Sequence, residues 1–138
     1  MPLRPIALLF AAIALSGAAA ARAGTWWPVP GAPDVQVDLA TLRQQRTRAL
    51  AWVRWWGRSA LVPELAAAPR LRIHRTAVLV EFDCAGHTVR GLAAQAYDGN
   101  GAPVFMSSVP GPATPVRGQE LEWTYDAVCE AARAGGRM

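Results

Sequence analysis

Lysine is absent from these 138 residues: all 14 basic side chains apart from histidine are arginines, and histidine occurs only as His74 and His87. Cysteine also occurs only twice, as Cys84 and Cys129. Each shortage excludes something. Two cysteines without neighbouring histidines make a poor zinc site, and no C-x-x-C pair offers redox chemistry. Neither histidine has a carboxylate or nucleophile beside it in sequence, and Ser107-Ser108 lacks a G-x-S-x-G elbow. No RNP, KH or zinc-finger pattern is present, so a nucleic-acid partner is not expected. The reading is of a non-enzyme with no catalytic residues, no metal and no cofactor; the alternative is an envelope hydrolase whose residues converge only in space.

Long apolar runs are scarce too. The one such stretch lies at the start, where Arg4 precedes the apolar residues 6–15 and Ala21-Arg22-Ala23 supplies a small-x-small cleavage site. Residues 1–23 read as a secretory signal, with Ala20 as a second exit point. The uncharged stretch between Arg4 and Arg22 is 17 residues and contains Ser16 and Gly17, against about 20 strongly apolar residues for a spanning helix. No cysteine follows Leu15-Ser16-Gly17, so a lipoprotein anchor is unsupported. The expected product is a soluble single domain, residues 24–138, that is periplasmic, cell-surface or secreted. In an oxidising compartment Cys84 and Cys129 are expected to be joined.

Charge is uneven along the mature chain. Residues 43–75 hold eight arginines, among them Arg43, Arg46 and Arg48, against the single acid Glu64. From residue 76 onward four arginines face seven acids. Such a basic segment suits an acidic partner or a polyanion; equally, arginines on exposed strand faces simply keep a protein dissolved.

Residues 26–30, aromatic and bounded by proline, predict an edge strand, and Val35-Gln36-Val37 a second. Asp38 stands where an N-cap opens a small turn over 39–42. Residues 47–56 alternate as a strand, with Ala49, Ala51, Val53 and Trp55 on one face and Leu50, Trp52, Arg54 and Trp56 on the other. After a connection with a helical turn following Pro63, residues 76–84 form the strongest strand, its core face lined by Val78, Val80, Phe82 and Cys84. A turn at 85–87 leads into a strand over 88–97, and Asp98-Gly99-Asn100-Gly101 closes a hairpin onto 104–107. The proline-rich 110–118 reads as a loop. Leu121, Tyr125, Val128 and Ala132 recur at helical spacing, predicting a helix over 119–134 stopped by Gly135-Gly136.

The fold is thus expected to be α+β: an antiparallel sheet with a C-terminal helix on one face, tied to it by Cys84–Cys129. If the helix covers the Trp55, Val80 and Phe82 side, the opposite face carries Trp52, Arg54 and Trp56, with Glu81 as a cross-strand neighbour of Arg54. Aromatic and arginine side chains are enriched at binding hot spots. That face is either an interaction or dimer surface or a second small core wrapped by sheet curvature. Asp83, at the strand end beside Cys84, is expected to make a hydrogen bond or ion pair. Glu120 and Glu122 sit two apart on the helix and do not face each other.

Several residues taken in order resemble the surface-adhesin protein E-like family of small exported bacterial domains. They are Trp27, Val35-x-Val37-Asp38, Thr41-Leu42-Arg43, Trp52-Val53-Arg54, Glu81-x-Asp83-Cys84, Arg90, Tyr97 with Gly101, and Val128-Cys129. The resemblance implies a curved sheet of about six strands, a disulfide-tethered terminal helix and a capacity to dimerise. It also implies binding to host-matrix, serum or envelope macromolecules. The chain departs from the family in its tryptophan-free 110–118 loop and its arginine-rich 57–75 stretch.

Overall fold

The computed structural model describes residues 26–135; the expected signal segment and Gly136 lie outside them. Strands β1 (Trp26–Val29) and β2 (Ala32–Asp38) form a hairpin, and Asp38 then caps a 3-10 turn, Leu39–Thr41, by accepting from the Ala40 amide at 3.1 Å. Strands β3 (Arg43–Gln45) and β4 (Arg48–Trp56) follow, then a four-residue helix α1 (Pro63–Ala66). The chain continues through β5 (Arg75–Asp83), β6 (Thr88–Tyr97), β7 (Pro103–Ser107), β8 (Thr114–Pro115) and the C-terminal helix α2 (Gln119–Arg133).

All pairings are antiparallel, in the order β1-β2-β4-β5-β6-β7, with β3 beside β4 and β8 beside β6. The six-strand path is the expected sheet. The two short strands are additions: the sequence assigns residues 43–45 to no element and 114–115 to the loop over 110–118. β3 is fully exposed Arg-Gln-Gln and carries no apolar alternation; its place is fixed by the hairpin to β4, whose turn puts Arg46 at φ 58°. β8 is a Thr-Pro pair against Thr88 and Val89, too short to leave a pattern.

These additions explain how the longest strands keep their edges paired. On β4, β3 covers residues 48–50 and β2 covers Val53 and Arg54. In the gap the Trp52 amide donates to the Thr41 hydroxyl at 3.1 Å. On β6, β7 and β8 cover opposite ends, and in the gap the Gly91 carbonyl accepts from the Gly111 amide at 2.8 Å. Backbone groups left unpaired away from water are costly, so both gaps are closed by the loop that crosses them.

One face of the sheet is the core. Ala49, Ala51 and Val53 of β4 and Val78, Val80 and Phe82 of β5 are all completely buried, as the two-residue period requires. α2 lies on this face with Tyr125, Val128, Cys129 and Ala132 inward. Short side chains at 49 and 51 let the helix approach while Phe82 fills the remaining space. Over the β5–β6 side the cover comes from Val62 and Leu65 around α1. Here residue 91 must be glycine, because a Cβ would stand 2.9 Å from the Leu61 carbonyl oxygen. Cys84, just past β5, is bonded to Cys129 with a Cα–Cα distance of 5.7 Å, closing a loop with a sequence separation of 45. α2 ends at Arg133, one residue short of expectation, and Gly135 follows at φ 104°.

Candidate functional site

The opposite face of the sheet is free of helix. Alternation along β4 sends Trp52, Arg54 and Trp56 to it, and register decides what each one meets. Arg54 lies opposite Gln36 of β2 and Ala77 of β5. Its Nε–H donates to Gln36 Oε1 at 2.6 Å, and its guanidinium sits 4.2 Å from the ring centre of Trp26 on the edge strand. Half-burial, then the nearby charge of Arg75, lowers the Arg54 pKa, with Asp38 acting in the opposite sense.

Glu81 is not the partner of Arg54. The register places Glu81 opposite Leu50 and Arg90, four residues along β5 from Ala77, or about 13 Å at strand rise. Its carboxylate lies 3.5 Å from Arg48 and 3.3 Å from Arg90 instead.

Trp56, at the strand end, is 56% exposed. The row across the sheet here is Trp56, Arg75, Tyr97. The Arg75 guanidinium lies 5.9 Å from the Trp56 ring and 5.7 Å from the Tyr97 ring, and the His74 ring meets Trp56 edge-on at 5.0 Å. With Asp98 and Gly101 these groups line a pocket of about 210 Å³. On its other side Trp56 borders a cleft of about 310 Å³ shared with Trp55, Arg58, Arg117 and Leu121. Trp52 and Arg54 are half-buried while Trp56 projects, so the face is graded from one end to the other.

The arginines of 43–75 do not share one place. Arg43, Arg46 and Arg48 lie on the β3–β4 hairpin, at the end of β4 away from Trp56 and about 27 Å from it at strand rise. Arg43 donates to the carbonyls of Ala40 and Leu42 at 3.1 and 2.8 Å. Arg58 clamps the 57–71 connection through the carbonyls of Leu65, Ala68 and Leu71. Arg70 and Arg72 are exposed.

His87, at φ 57°, contacts the Glu122 carboxylate at 2.9 Å, and its ring packs 4.5 Å from that of Tyr125. This pair spans 35 residues and left no sequence signal. The Tyr125 hydroxyl donates to the Asp83 carbonyl at 2.7 Å, and Asp83 Oδ1 accepts from the amides of Ala85 and Gly86. Together these bonds hold the turn against the helix. Among the described residues no group of three or more His, Cys, Asp or Glu side chains is placed to hold a metal, and no helix is long and apolar enough to cross a membrane.

Burial, reinforced by the charges of Asp83, Asp126 and Glu122, raises the Tyr125 pKa above its ordinary value of 10.0. The folded state therefore holds this proton more tightly than the unfolded state. The stability so gained is full below pH 10.0 and is lost as pH rises through the folded value. Lysine is absent and both cysteines are bonded, so neither residue type adds a titration of its own over the tyrosine range, above about pH 10. Urea midpoints of the disulfide-intact protein are expected to fall over that range, and Tyr125→Phe to flatten the fall. An unchanged slope in the variant would remove Tyr125 as its source.

No protein-family model matches the chain, and no curated protein matches it in sequence. Solved structures do match. Crystal form II of Haemophilus influenzae protein E aligns at TM-score 0.56 and 10% identity, over 78% of this chain and 88% of that one. A second structure of Haemophilus influenzae protein E aligns at TM-score 0.52 and 9% identity, over 83% and 89% of the two chains. The six-strand antiparallel path with its C-terminal helix therefore makes up a protein E-like fold.

Proposed function

We propose that this chain is an exported, non-enzymatic binding module that holds a macromolecular partner through the helix-free face of its sheet, at the Trp56 end. The observation that carries the reading is the exposed Trp56 ring beside Arg75 and Tyr97, backed by the Trp26–Arg54–Gln36 stack. Large rings held in place by neighbouring guanidinium groups lose little freedom on binding, and such residues dominate interface energies. The leader at 1–23 supports export, and the helix-covered opposite face leaves this one available. The partner is a host or envelope macromolecule, with a second copy of the chain as the self-associating case.

The test uses the mature chain, residues 24–138, against immobilised matrix, serum and envelope proteins, with sedimentation equilibrium for self-association. Trp56→Ala is expected to weaken the measured association by about tenfold or more, as for a hot-spot ring. Arg46→Ala, on the distant hairpin, is expected to leave it unchanged. The reading fails if Arg46→Ala weakens association and Trp56→Ala does not.

A further inference from the structure

The pocket beside Trp56 has a chemistry narrower than a general contact surface. Its floor is one cross-strand row, Trp56, Arg75 and Tyr97, so three paired strands fix the spacing of its groups. At about 210 Å³ it is smaller than the roughly 300–1,000 Å³ of sites that enclose a whole small molecule. It therefore suits one terminal unit of a larger ligand. Its faces are aromatic: Trp56, His74 and Tyr97.

Its lining carries one guanidinium, Arg75, and one carboxylate, Asp98. Among the described residues the Arg75 guanidinium has no carboxylate within ion-pair distance and no hydrogen-bond acceptor. The one acid in the lining, Asp98, is already engaged, its Oδ1 accepting from the amides of Asn100 and Ala102, both at 2.9 Å. Arg75 thus presents a planar, unpaired fork next to two ring faces, the geometry that takes a carboxylate or a phosphate through two parallel hydrogen bonds.

Two other ligand classes fit less well. A phosphate site is usually a concavity of free backbone amides. Here the amides of Asn100, Gly101 and Ala102 all bond to Asp98, and that of His74 bonds to the Tyr97 carbonyl. An extended peptide needs an unpaired strand edge. Over the pocket β4 is paired to β5 and β5 to β6, and the unpaired edge of β4 past Arg54 lies on the β2 side, away from it, so recognition in the pocket falls to side chains. What remains is a ring with one C–H-rich face for the electron-rich indole and a carboxylate for Arg75.

We infer that the Trp56–His74–Arg75–Tyr97 pocket takes the carboxylate-bearing terminal sugar of an acidic glycan. This rests on the binding reading above and names the ligand class for the same end of the face. The probe is a glucuronate-terminated oligosaccharide, titrated into the mature chain by calorimetry and by saturation-transfer NMR, alongside its carboxyl-reduced neutral counterpart. Saturable binding is expected. It should weaken by about tenfold or more on carboxyl reduction, in Arg75→Gln, and in Trp56→Ala, whose exposed ring can be removed without opening the core. Arg46→Gln should bind as the wild type does.

Equal binding of the neutral sugar, equal loss in Arg46→Gln and Arg75→Gln, or no saturation at millimolar oligosaccharide would overturn the inference. So would stronger competition by inorganic phosphate or by an acidic peptide. Should the glycan fail while Trp56→Ala still lowers capture of a protein partner, the ligand class falls and the binding face stands. Should the glycan bind as described while protein capture ignores Trp56, the reverse holds.

Discussion

Replacing Cys84 and Cys129 together by alanine is expected to lower the unfolding free energy by about 4 kcal/mol, the chain-entropy value for a loop of this length. Against a typical total of about 5–15 kcal/mol this is a large fraction. At about 4 °C per kcal/mol for a domain of this size, the midpoint falls by roughly 15 °C. Apart from the staple, the helix is held by its apolar stripe, Tyr125, Val128 and Ala132, and by the Tyr125–Asp83 and His87–Glu122 contacts. Without it the helix still docks, but the unfolded chain gains the freedom of the opened loop. Urea unfolding of wild type and double variant checks this. A steeper denaturant dependence should accompany the loss, since an uncrosslinked chain exposes more surface. A loss below about 1 kcal/mol would mean that packing alone seats the helix.

Phe82→Ala is expected to cost about 3–5 kcal/mol. Phe82 is completely buried, opposite Ala49 on β4 and Val89 on β6, and its ring centre lies 6.4 Å from that of Tyr125. The site cannot collapse, because β5 is paired along its whole length to both neighbours. The ring also compensates for the small side chains at 49 and 51, so its removal leaves a void between sheet and helix. A cost below about 1.5 kcal/mol in urea unfolding would show that the helix settles into the gap. Phe82 and the disulfide act on the same seam, since Tyr125 contacts the ring and stands one turn from Cys129. Combining Phe82→Ala with loss of the disulfide should cost less than the two losses added, by about 0.5 kcal/mol or more.

Much of this architecture was legible in the chain. Alternation along 47–56 and 76–84 separated the buried from the open face correctly, because a half-buried strand has no freedom to place its apolar residues elsewhere. The 98–101 hairpin and the stripe on α2 were legible for similar local reasons. β3 and β8 were not: they carry no apolar alternation and exist only because longer strands offered them an edge. The Arg54–Glu81 contact failed for a related reason. Faces follow from the period of two, whereas partners follow from register, and register depends on turns and bulges.

The candidate site shows the same division. Trp56 and Arg54 were visible as members of one face, but the row Trp56–Arg75–Tyr97 was not assembled. The signal was present. Counting back through β5 and forward through β6 from the 85–87 turn brings Arg75 opposite Tyr97 once the single bulge between Leu79 and Val80 is allowed. Nothing local announces that bulge. The His87–Glu122 contact, by contrast, depends on where the helix comes to rest on the sheet.

By itself the sequence determined which side chains turn inward, where the chain reverses, and which two thiols were there to staple it. Tertiary structure alone decided which residues stand beside one another across strands. It scattered the arginines to opposite ends of β4 and set one of them unpaired between two aromatic rings. The reason is physical: alternation and turn chemistry act over a few residues, while register, bulges and helix docking are settled by the packing of the whole chain.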